Sequence, residues 1–391
     1  MNLQINLIRS GCADGHYIIK AKGFILAILS WGDENGTLKD WGDFAYVPID
    51  PAGNGDFYFH GSRAIPREAT HVYARCFSQD FSSSEYIASP IPERFINVSS
   101  SSYSQKFTVL TDIHLSSSKT RFKLKKALQM TRSGIIFLLG DSVNDGLREQ
   151  FINFEDCIRE SAPDKIFLPV TGNHDVLHES KLDNNNNGCD NYSEFQEHLL
   201  EHASSQGLCI TRDKESLAYS VELEDDINIT ALQSVISGRK FSFPEGRQIT
   251  WLNDKLNSQK DSSRKIILCH APLLDHNPAR NSGSPYLGKN KMLQGVIDNY
   301  GKIIFLSGHT HISPNTQTGS VELDNVRRNI YVNCGSLADT DIKINKGFMM
   351  SPDWNDGCIT EIYISQNKIE IFMLSVKTGK KFPLGYYCFN L

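Results

Sequence analysis

Five short apolar runs in the middle of the chain each end at residues that bind metals. The runs have the length and composition of buried β-strands and cover residues 107–110, 135–139, 166–170, 266–268 and 303–306. The residues that follow them are Asp112 with His114, Gly140 with Asp141, Gly172-Asn173-His174-Asp175, His270, and Gly308-His309-Thr310-His311. Because loops at the carboxyl ends of strands converge in α/β folds, we expect these side chains to meet. The pattern predicts one metal centre lined by oxygen and nitrogen atoms.

The first hundred residues show a different pattern, in which short β-prone runs alternate with turn signals. Runs such as 25–29 and 72–77 are separated by turn-forming segments such as 50–56. This spacing predicts a small β-sandwich over residues 1–102. The segment 70–75 follows a proline-containing loop and resembles the corner that leads into the sixth strand of fibronectin type III domains.

Strands and helices alternate after this region, and β-prone runs return near the end. Leu147, Phe151 and Phe154 belong to an apolar stripe with helical spacing. Such alternation predicts sheets that are covered by helices. We therefore expect an α/β domain over residues 103–345 and a β-rich extension over residues 346–391 that completes or caps its core.

Net charge, cysteine content and the length of the apolar segments indicate which partners and which cellular compartment to expect. A formal net charge of −5 over 391 residues gives no electrostatic signal for nucleic acid or an anionic membrane surface. The nine cysteines are an odd set without a CxxC spacing, which argues against a disulfide framework and a thiolate zinc site. The densest apolar segment, 23–31, is far shorter than the about 20 residues that cross a bilayer. We expect a cytoplasmic protein without a membrane segment.

The residue types at the strand ends determine which metals suit the predicted centre. The candidate ligands are four imidazoles and three carboxylate or amide side chains: Asp112, His114, Asp141, Asn173, His270, His309 and His311. This mixture suits manganese, iron or zinc. Singly, Asp and Asn at strand ends are also ordinary turn residues, but four of the 12 histidines fall in this set. Two ions about 3.5–4 Å apart would clamp a phosphate and generate a hydroxide that attacks phosphorus.

The five blocks, in this order, resemble the signature of the calcineurin-like metallophosphoesterase superfamily: D-x-H, G-D, G-N-H-[D/E], H and G-H-x-H. The resemblance implies a four-layer α/β/β/α sandwich with two divalent or mixed-valence metal ions. The implied ligands are Asp112, His114 and His311 for the first ion, Asn173, His270 and His309 for the second, and Asp141 for both. It further implies that His174 stabilises transition-state charge or protonates the leaving oxygen, and that Asp175 orients His174.

Differences from two better-known branches of this superfamily narrow the range of substrate classes. Protein serine/threonine phosphatases of this superfamily carry arginines in the second and third blocks, whereas residues 140–146 of this chain lack arginine and Thr171 precedes the third block. Purple acid phosphatases carry a metal-binding tyrosine three residues after the shared aspartate, where this chain has Asn144. These differences and the G-N-H-D block favour a phosphodiesterase that acts on a small-molecule phosphate ester. The alternatives are a small-molecule phosphomonoesterase and a non-catalytic scaffold that retains the fold.

Overall fold

The computed structural model describes the chain in segments. The described residues are 1–7, 15–36, 38–58, 69–91, 104–177, 188–214, 216–237, 240–242, 247–260, 263–273, 275–277, 291–314, 320–344, 347–351, 354–366 and 368–390. The predicted domain boundaries, after residue 102 and after residue 345, fall outside these segments and stay predictions. Within these segments, no helix has the length and apolar character needed to cross a membrane.

Seven strands at the start of the chain form two antiparallel sheets. Strands β1 to β7 cover Asn2–Leu7, Gly15–Lys20, Leu26–Gly32, Leu38–Pro48, Asn54–Tyr58, His71–Phe77 and Ile87–Pro90. The strand orders are β1-β2-β5 and β4-β3-β6-β7. Tyr17 and Ile19 of the first sheet share a buried core with Trp31 and Val47 of the second. The predicted β-sandwich is confirmed, and its sixth strand begins at His71, within the predicted corner.

The rest of the chain alternates strands and helices. Strands β8 to β24 cover Gln105–Leu110, Ile135–Leu139, Ile166–Val170, Ile210–Arg212, Tyr219–Leu223, Ile227–Ala231, Val235–Ser237, Lys240–Ser242, Arg264–Leu268, Ile303–Ser307, Val321–Leu323, Ile330–Asn333, Asp341–Ile344, Gly347–Met350, Cys358–Ile364, Lys368–Ser375 and Lys381–Asn390. Helices α1 to α5 cover Ser118–Met130, Arg148–Ser161, Gly188–Ser205, Arg247–Ser258 and Lys291–Ile297, and a 3-10 turn covers His174–Val176. The five apolar runs of the sequence are β8, β9, β10, β16 and β17, so each forms a strand as predicted.

Two large mixed sheets contain these five strands. The first sheet has the order β10-β9-β8-β22-β23-β24, and the second has the order β11-β12-β13-β16-β17-β19-β18. Strands β8, β9 and β10 run parallel to one another, as do β13, β16, β17 and β19. Their carboxyl ends therefore lie along one edge of each sheet. The last three strands of the chain form half of the first sheet, where β22 pairs with β8.

The two sheets pack face to face and carry helices on their outer faces. Val109 and Leu139 of the first sheet share a buried core with Ile266 and Leu306 of the second. Because side chains alternate along a strand, the other face of each sheet is free to pack against helices. Helices α1, α2 and α3 cover the first sheet, and α4 and α5 cover the second. The predicted four-layer α/β/β/α sandwich is confirmed.

Candidate metal centre

The carboxyl ends of β8 and β9 position three of the candidate ligands. Beyond the strands the two segments stay paired, because the N–H of Asp112 donates to the Gly140 carbonyl (3.1 Å) and the N–H of His114 donates to the Asp141 carbonyl (2.9 Å). Gly140 has a φ of +85°, and a Cβ atom there would lie 2.5 Å from Nδ1 of His270. Glycine is the residue that fits both constraints. Packing therefore requires glycine at position 140, directly before the candidate ligand Asp141.

Five of the seven candidate ligands have left-handed backbone conformations. Their φ values are +52° for Asp112, +48° for His114, +51° for Asp141, +69° for His309 and +52° for His311. Residues with side chains seldom adopt this region, and histidine does so less readily than glycine. Such conformations persist where the surrounding structure imposes them, and they are concentrated at functional sites. The backbone conformation at these five positions therefore sets the direction in which their side chains point.

The first ligand cluster consists of Asp112, His114, Asp141 and His311. One ligand atom from each residue lies within 4.8 Å of the others. Nε2 of His311 is 3.1 Å from Oδ1 of Asp112 and 3.1 Å from Nε2 of His114. Nε2 of His114 is in turn 3.7 Å from Oδ2 of Asp141. Loops from both sheets therefore bring these four side chains to one point.

The second ligand cluster consists of Asp141, His270 and His309, whose ligand atoms also lie within 4.8 Å of one another. Oδ2 of Asp141 is 3.3 Å from Nε2 of His270. Asn173 adds its amide group, because its Oδ1 is 3.0 Å from Nδ1 of His309. The structure therefore brings all seven predicted ligand residues together. Asp141 belongs to both clusters.

The hydrogen bonds that Nδ1 makes in His270 and His311 indicate what fits between the ligand atoms, because they determine which groups face each other there. Nδ1 of His270 donates to a main-chain carbonyl of β9 (2.7 Å), so the neutral ring directs the lone pair of Nε2 toward Asp141. His311 is arranged in the same way, because Nδ1 donates to Oδ1 of Asp339 (2.8 Å) and Nε2 faces Asp112. Two acceptors that face each other need a proton or a cation between them. The donor set therefore fits divalent metal ions.

The buried carboxylates and imidazoles shift one another's pKa values. Burial opposes ionisation of Asp112, but His311 and His270 outweigh it and lower the pKa of this carboxyl to about 2. Burial also opposes a charge on His270, yet the attraction of Asp141 and Asp112 raises its pKa to about 9. Burial lowers the pKa of His309 to about 3, so that ring is neutral. Because metals bind deprotonated ligands, a metal ion competes with the proton on His270.

His174 lies beside the first cluster. Its ring meets the ring of His114 edge-on, with centroids 4.5 Å apart and planes at 85°. The main-chain N–H of His174 donates to Oδ1 of Asp141 (2.7 Å), and Nδ1 of the ring donates to the Asn144 carbonyl (2.7 Å). Since a carbonyl oxygen only accepts, this bond fixes the tautomer when the ring is neutral.

The hydrogen bond of the His174 ring goes to Asn144 and not to Asp175, so a role of Asp175 in orienting this imidazole stays a prediction. The buried carboxylate of Asp175 accepts from the main-chain N–H groups of Gly172 (2.8 Å) and Val143 (3.1 Å). Burial and the charge of Asp141 raise the pKa of Asp175 to about 7. Asp175 therefore joins the loops after β9 and β10, while a main-chain carbonyl holds the ring of His174.

Asp339 is a site residue that the motifs did not indicate. Its Oδ1 accepts from Nδ1 of His311, and a carboxylate in this place sets the orientation of a ligand imidazole. Its segment is anchored on Asp112, whose carbonyl accepts from the Ala338 N–H (3.0 Å) and the Ser336 hydroxyl (3.2 Å). The sequence offers one weak signal, an aspartate shortly after an apolar run, which is common in surface loops.

Replacing Asp339 with alanine is expected to weaken metal binding at the first cluster by about 10- to 100-fold, because the His311 ring loses its orienting carboxylate. The Asp339→Asn variant keeps an oxygen acceptor and should give an intermediate dissociation constant. Asp341→Asn is a matched control, since Asp341 contacts His311 through its main-chain N–H. Competition against a metal-sensitive dye measures these constants. Equal values for the wild type and Asp339→Ala would contradict the prediction.

Comparison with known proteins identifies the family. A family model described as calcineurin-like phosphoesterase matches residues 105–313, which is more than half of the 391 residues and includes both ligand clusters. A search among curated proteins finds no match.

Three solved structures illustrate how distant the structural relatives are in sequence. Purple acid phosphatase PPD1 from yellow lupin (Lupinus luteus) seeds is 14% identical, with 99% of this chain and 74% of that chain covered and a TM-score of 0.51. PhoD is 10% identical, with coverage of 97% and 87% and a TM-score of 0.41. Phosphopantetheinyl hydrolase (PptH) from Mycobacterium tuberculosis is 13% identical, with coverage of 59% and 89% and a TM-score of 0.38.

At these identities, the similarity to the lupin enzyme concerns the fold alone. The family assignment depends on the family model, and the two ligand clusters agree with it. The chain belongs to the calcineurin-like phosphoesterase family and is a metal-dependent hydrolase of phosphoric esters.

Proposed function

We propose that the chain hydrolyses phosphate diesters at a centre of two metal ions. The observation that carries this proposal is the membership of Asp141 in both ligand clusters. The proposed ligands are Asp112, His114 and His311 for one ion, Asn173, His270 and His309 for the other, and Asp141 for both. Manganese, iron and zinc suit these donors. Such ions neutralise phosphoryl oxygens, orient the ester and lower the pKa of water.

The position of His174 supports an acid–base or charge-stabilising role. Because Nδ1 donates to the Asn144 carbonyl, Nε2 is the ring nitrogen left for proton transfer. The hydrogen bond from the main-chain N–H of His174 to Oδ1 of Asp141 holds His174 next to the proposed shared ligand. We assign His174 to protonation of the leaving oxygen or to stabilisation of phosphoryl charge in the transition state.

The surroundings of Thr171 support a diester as the substrate. Its main-chain N–H and its hydroxyl both donate to Oε1 of Gln233, at 2.7 and 2.6 Å, and the side chain is buried. This position therefore offers no positive charge, whereas an arginine there helps protein phosphatases to bind a doubly charged monoester. A diester has a single negative charge on the group that is cleaved, so it needs less positive charge from the protein.

Steady-state kinetics with two chromogenic esters test the proposed function. The Mn²⁺-loaded enzyme is expected to hydrolyse bis(p-nitrophenyl) phosphate with a higher kcat/KM than p-nitrophenyl phosphate, and to lose activity in excess EDTA. A higher kcat/KM for the monoester would indicate a phosphomonoesterase. No turnover with manganese, iron or zinc, together with fewer than two bound ions per chain, would indicate a non-catalytic scaffold.

Metal binding is expected to stabilise the folded chain, because the unfolded chain lacks the assembled clusters. At a free Mn²⁺ concentration of about 100 times Kd, one site adds about 2.7 kcal/mol to the free energy of unfolding. Calorimetry with and without Mn²⁺ measures the corresponding rise in Tm. The Asp141→Asn variant is the control, since both clusters lose a charged ligand and the rise should shrink. An unchanged Tm for the wild-type protein would contradict the prediction.

A further inference from the structure

A groove lies between the amino-terminal ends of α1 and α2, next to the loop that carries His114. We call it the serine groove; it has a volume of about 380 Å³, and its polar walls include Ser116, Ser117, Ser118, Glu149, Gln150 and Asn153. This volume is more than ten times the about 30 Å³ that one water occupies in the liquid, so the groove has room for an organic substituent.

The serine groove is continuous with the loops that carry the candidate ligands. Ser116 lies two residues after His114, so their Cα atoms are at most about 7 Å apart. The opposite wall is joined to the loop of His174. Gln150 accepts from the main-chain N–H of Asp145 (3.0 Å) and donates to its carboxylate (2.8 Å), and Asp145 directly follows Asn144. A phosphate ester at the centre would therefore have one substituent within reach of the groove.

The chemistry of the walls indicates which substituent would fit. Hydroxyl and carboxamide groups both donate and accept hydrogen bonds, and five of the eight lining residues carry them: Ser116, Ser117, Ser118, Gln150 and Asn153. Carbon atoms make up about half of the lining surface, which the carbon skeleton of a bound group can contact. The lining contains one positive and one negative side chain, Arg121 and Glu149, so it has no net charge. Arg121 also donates to the Asn153 carbonyl (3.1 Å) and to Glu160 (3.2 Å), so its charge is partly balanced. These walls match an uncharged group rich in hydroxyls better than an alkyl group or a second anion.

We propose that the serine groove binds a hydroxyl-bearing substituent, of the polyol or sugar class, on the diester that is cleaved at the neighbouring centre. This inference rests on the proposed function, because a diester is what presents a second organic group. Ser118, Glu149 and Asn153 would exchange hydrogen bonds with the hydroxyls, and the phosphoryl group would lie at the ligand clusters.

Binding of two uncleavable probes tests the groove separately from catalysis. Methyl(2,3-dihydroxypropyl)phosphinate and methyl(propyl)phosphinate carry one negative charge each, contain no ester bond and differ in two hydroxyls. Calorimetric titration of the Mn²⁺-loaded enzyme is expected to show about three- to tenfold tighter binding of the dihydroxypropyl probe, from one or two net hydrogen bonds. Glu149→Ala and Asn153→Ala should each lower this ratio by about threefold. Ile152→Ala, an exposed change on the same helix outside the groove, should leave it unchanged.

A ratio near one in the wild-type enzyme would overturn the inference, as would a ratio that neither groove variant lowers. An equal fall in the Ile152→Ala control would overturn it too, because the effect would not belong to the groove. These outcomes are independent of the proposed function, which fails if the same preparation does not hydrolyse bis(p-nitrophenyl) phosphate.

Discussion

Replacing Asp141 with asparagine is expected to remove nearly all hydrolysis, by roughly 10³-fold in kcat, at the upper end of losses from a single electrostatic group in an active site. Asp141 lies in both clusters, so one change weakens both proposed metal sites. Asparagine keeps the shape of the side chain and tolerates the left-handed φ of +51° at this position. The loss would therefore report the missing charge and not a rearranged backbone.

Metal analysis together with kinetics measures this effect. We expect the Asp141→Asn enzyme to retain fewer ions per chain than the wild type after gel filtration. Asp156→Asn is a suitable control, because Asp156 pairs with Arg159 on the surface of α2, away from both clusters. Wild-type metal content combined with wild-type kcat in Asp141→Asn would rule out the shared-ligand role.

Replacing His174 with alanine is expected to lower kcat by about 10²- to 10⁴-fold while metal content stays the same. The ring lies edge-on to His114 and belongs to neither ligand cluster, so its loss should affect chemistry rather than metal affinity. The unchanged metal content would distinguish His174 from Asp141, because replacing Asp141 should lower both kcat and metal content.

His198 offers a matched control for the loss of an imidazole. It lies on α3, half-exposed, with Nδ1 3.2 Å from Oε1 of Glu155. His198→Ala should have wild-type kcat and metal content. If His174→Ala turned over bis(p-nitrophenyl) phosphate as fast as His198→Ala, the proposed role of His174 would be excluded.

The strands that carry the ligands were predictable from sequence, but their division between two sheets was not. Each run, such as 135–139 or 303–306, contains enough apolar residues to indicate a buried strand by itself. Sheet membership depends instead on pairing between distant segments. Thr108 of β8 lies opposite Glu361 of β22, and no local pattern records a partner so far along the chain.

The candidate ligands were predictable because each directly follows a strand and has a side chain suited to metals. The groups that orient them were harder to predict. A main-chain carbonyl orients the His174 ring, and any residue at position 144 would supply it, so the identity of Asn144 carries no information about this contact. The contacts of Asp175 were hard to predict for a related reason: it is next to His174 in sequence, but the 3-10 turn directs its carboxylate to the main chain of Gly172 and Val143.

The pairing of β8 with β22 has a consequence for synthesis of the protein. The strand that leads to Asp112 lies between β9 and β22, and β22 begins at Cys358. On the ribosome, β8 and β9 emerge long before β22, so one side of β8 remains an exposed edge until β22 has been made. Exposed edges of this kind pair readily with other chains. Nascent chains that stall before residue 358 should therefore depend on chaperones, although they already contain every candidate ligand.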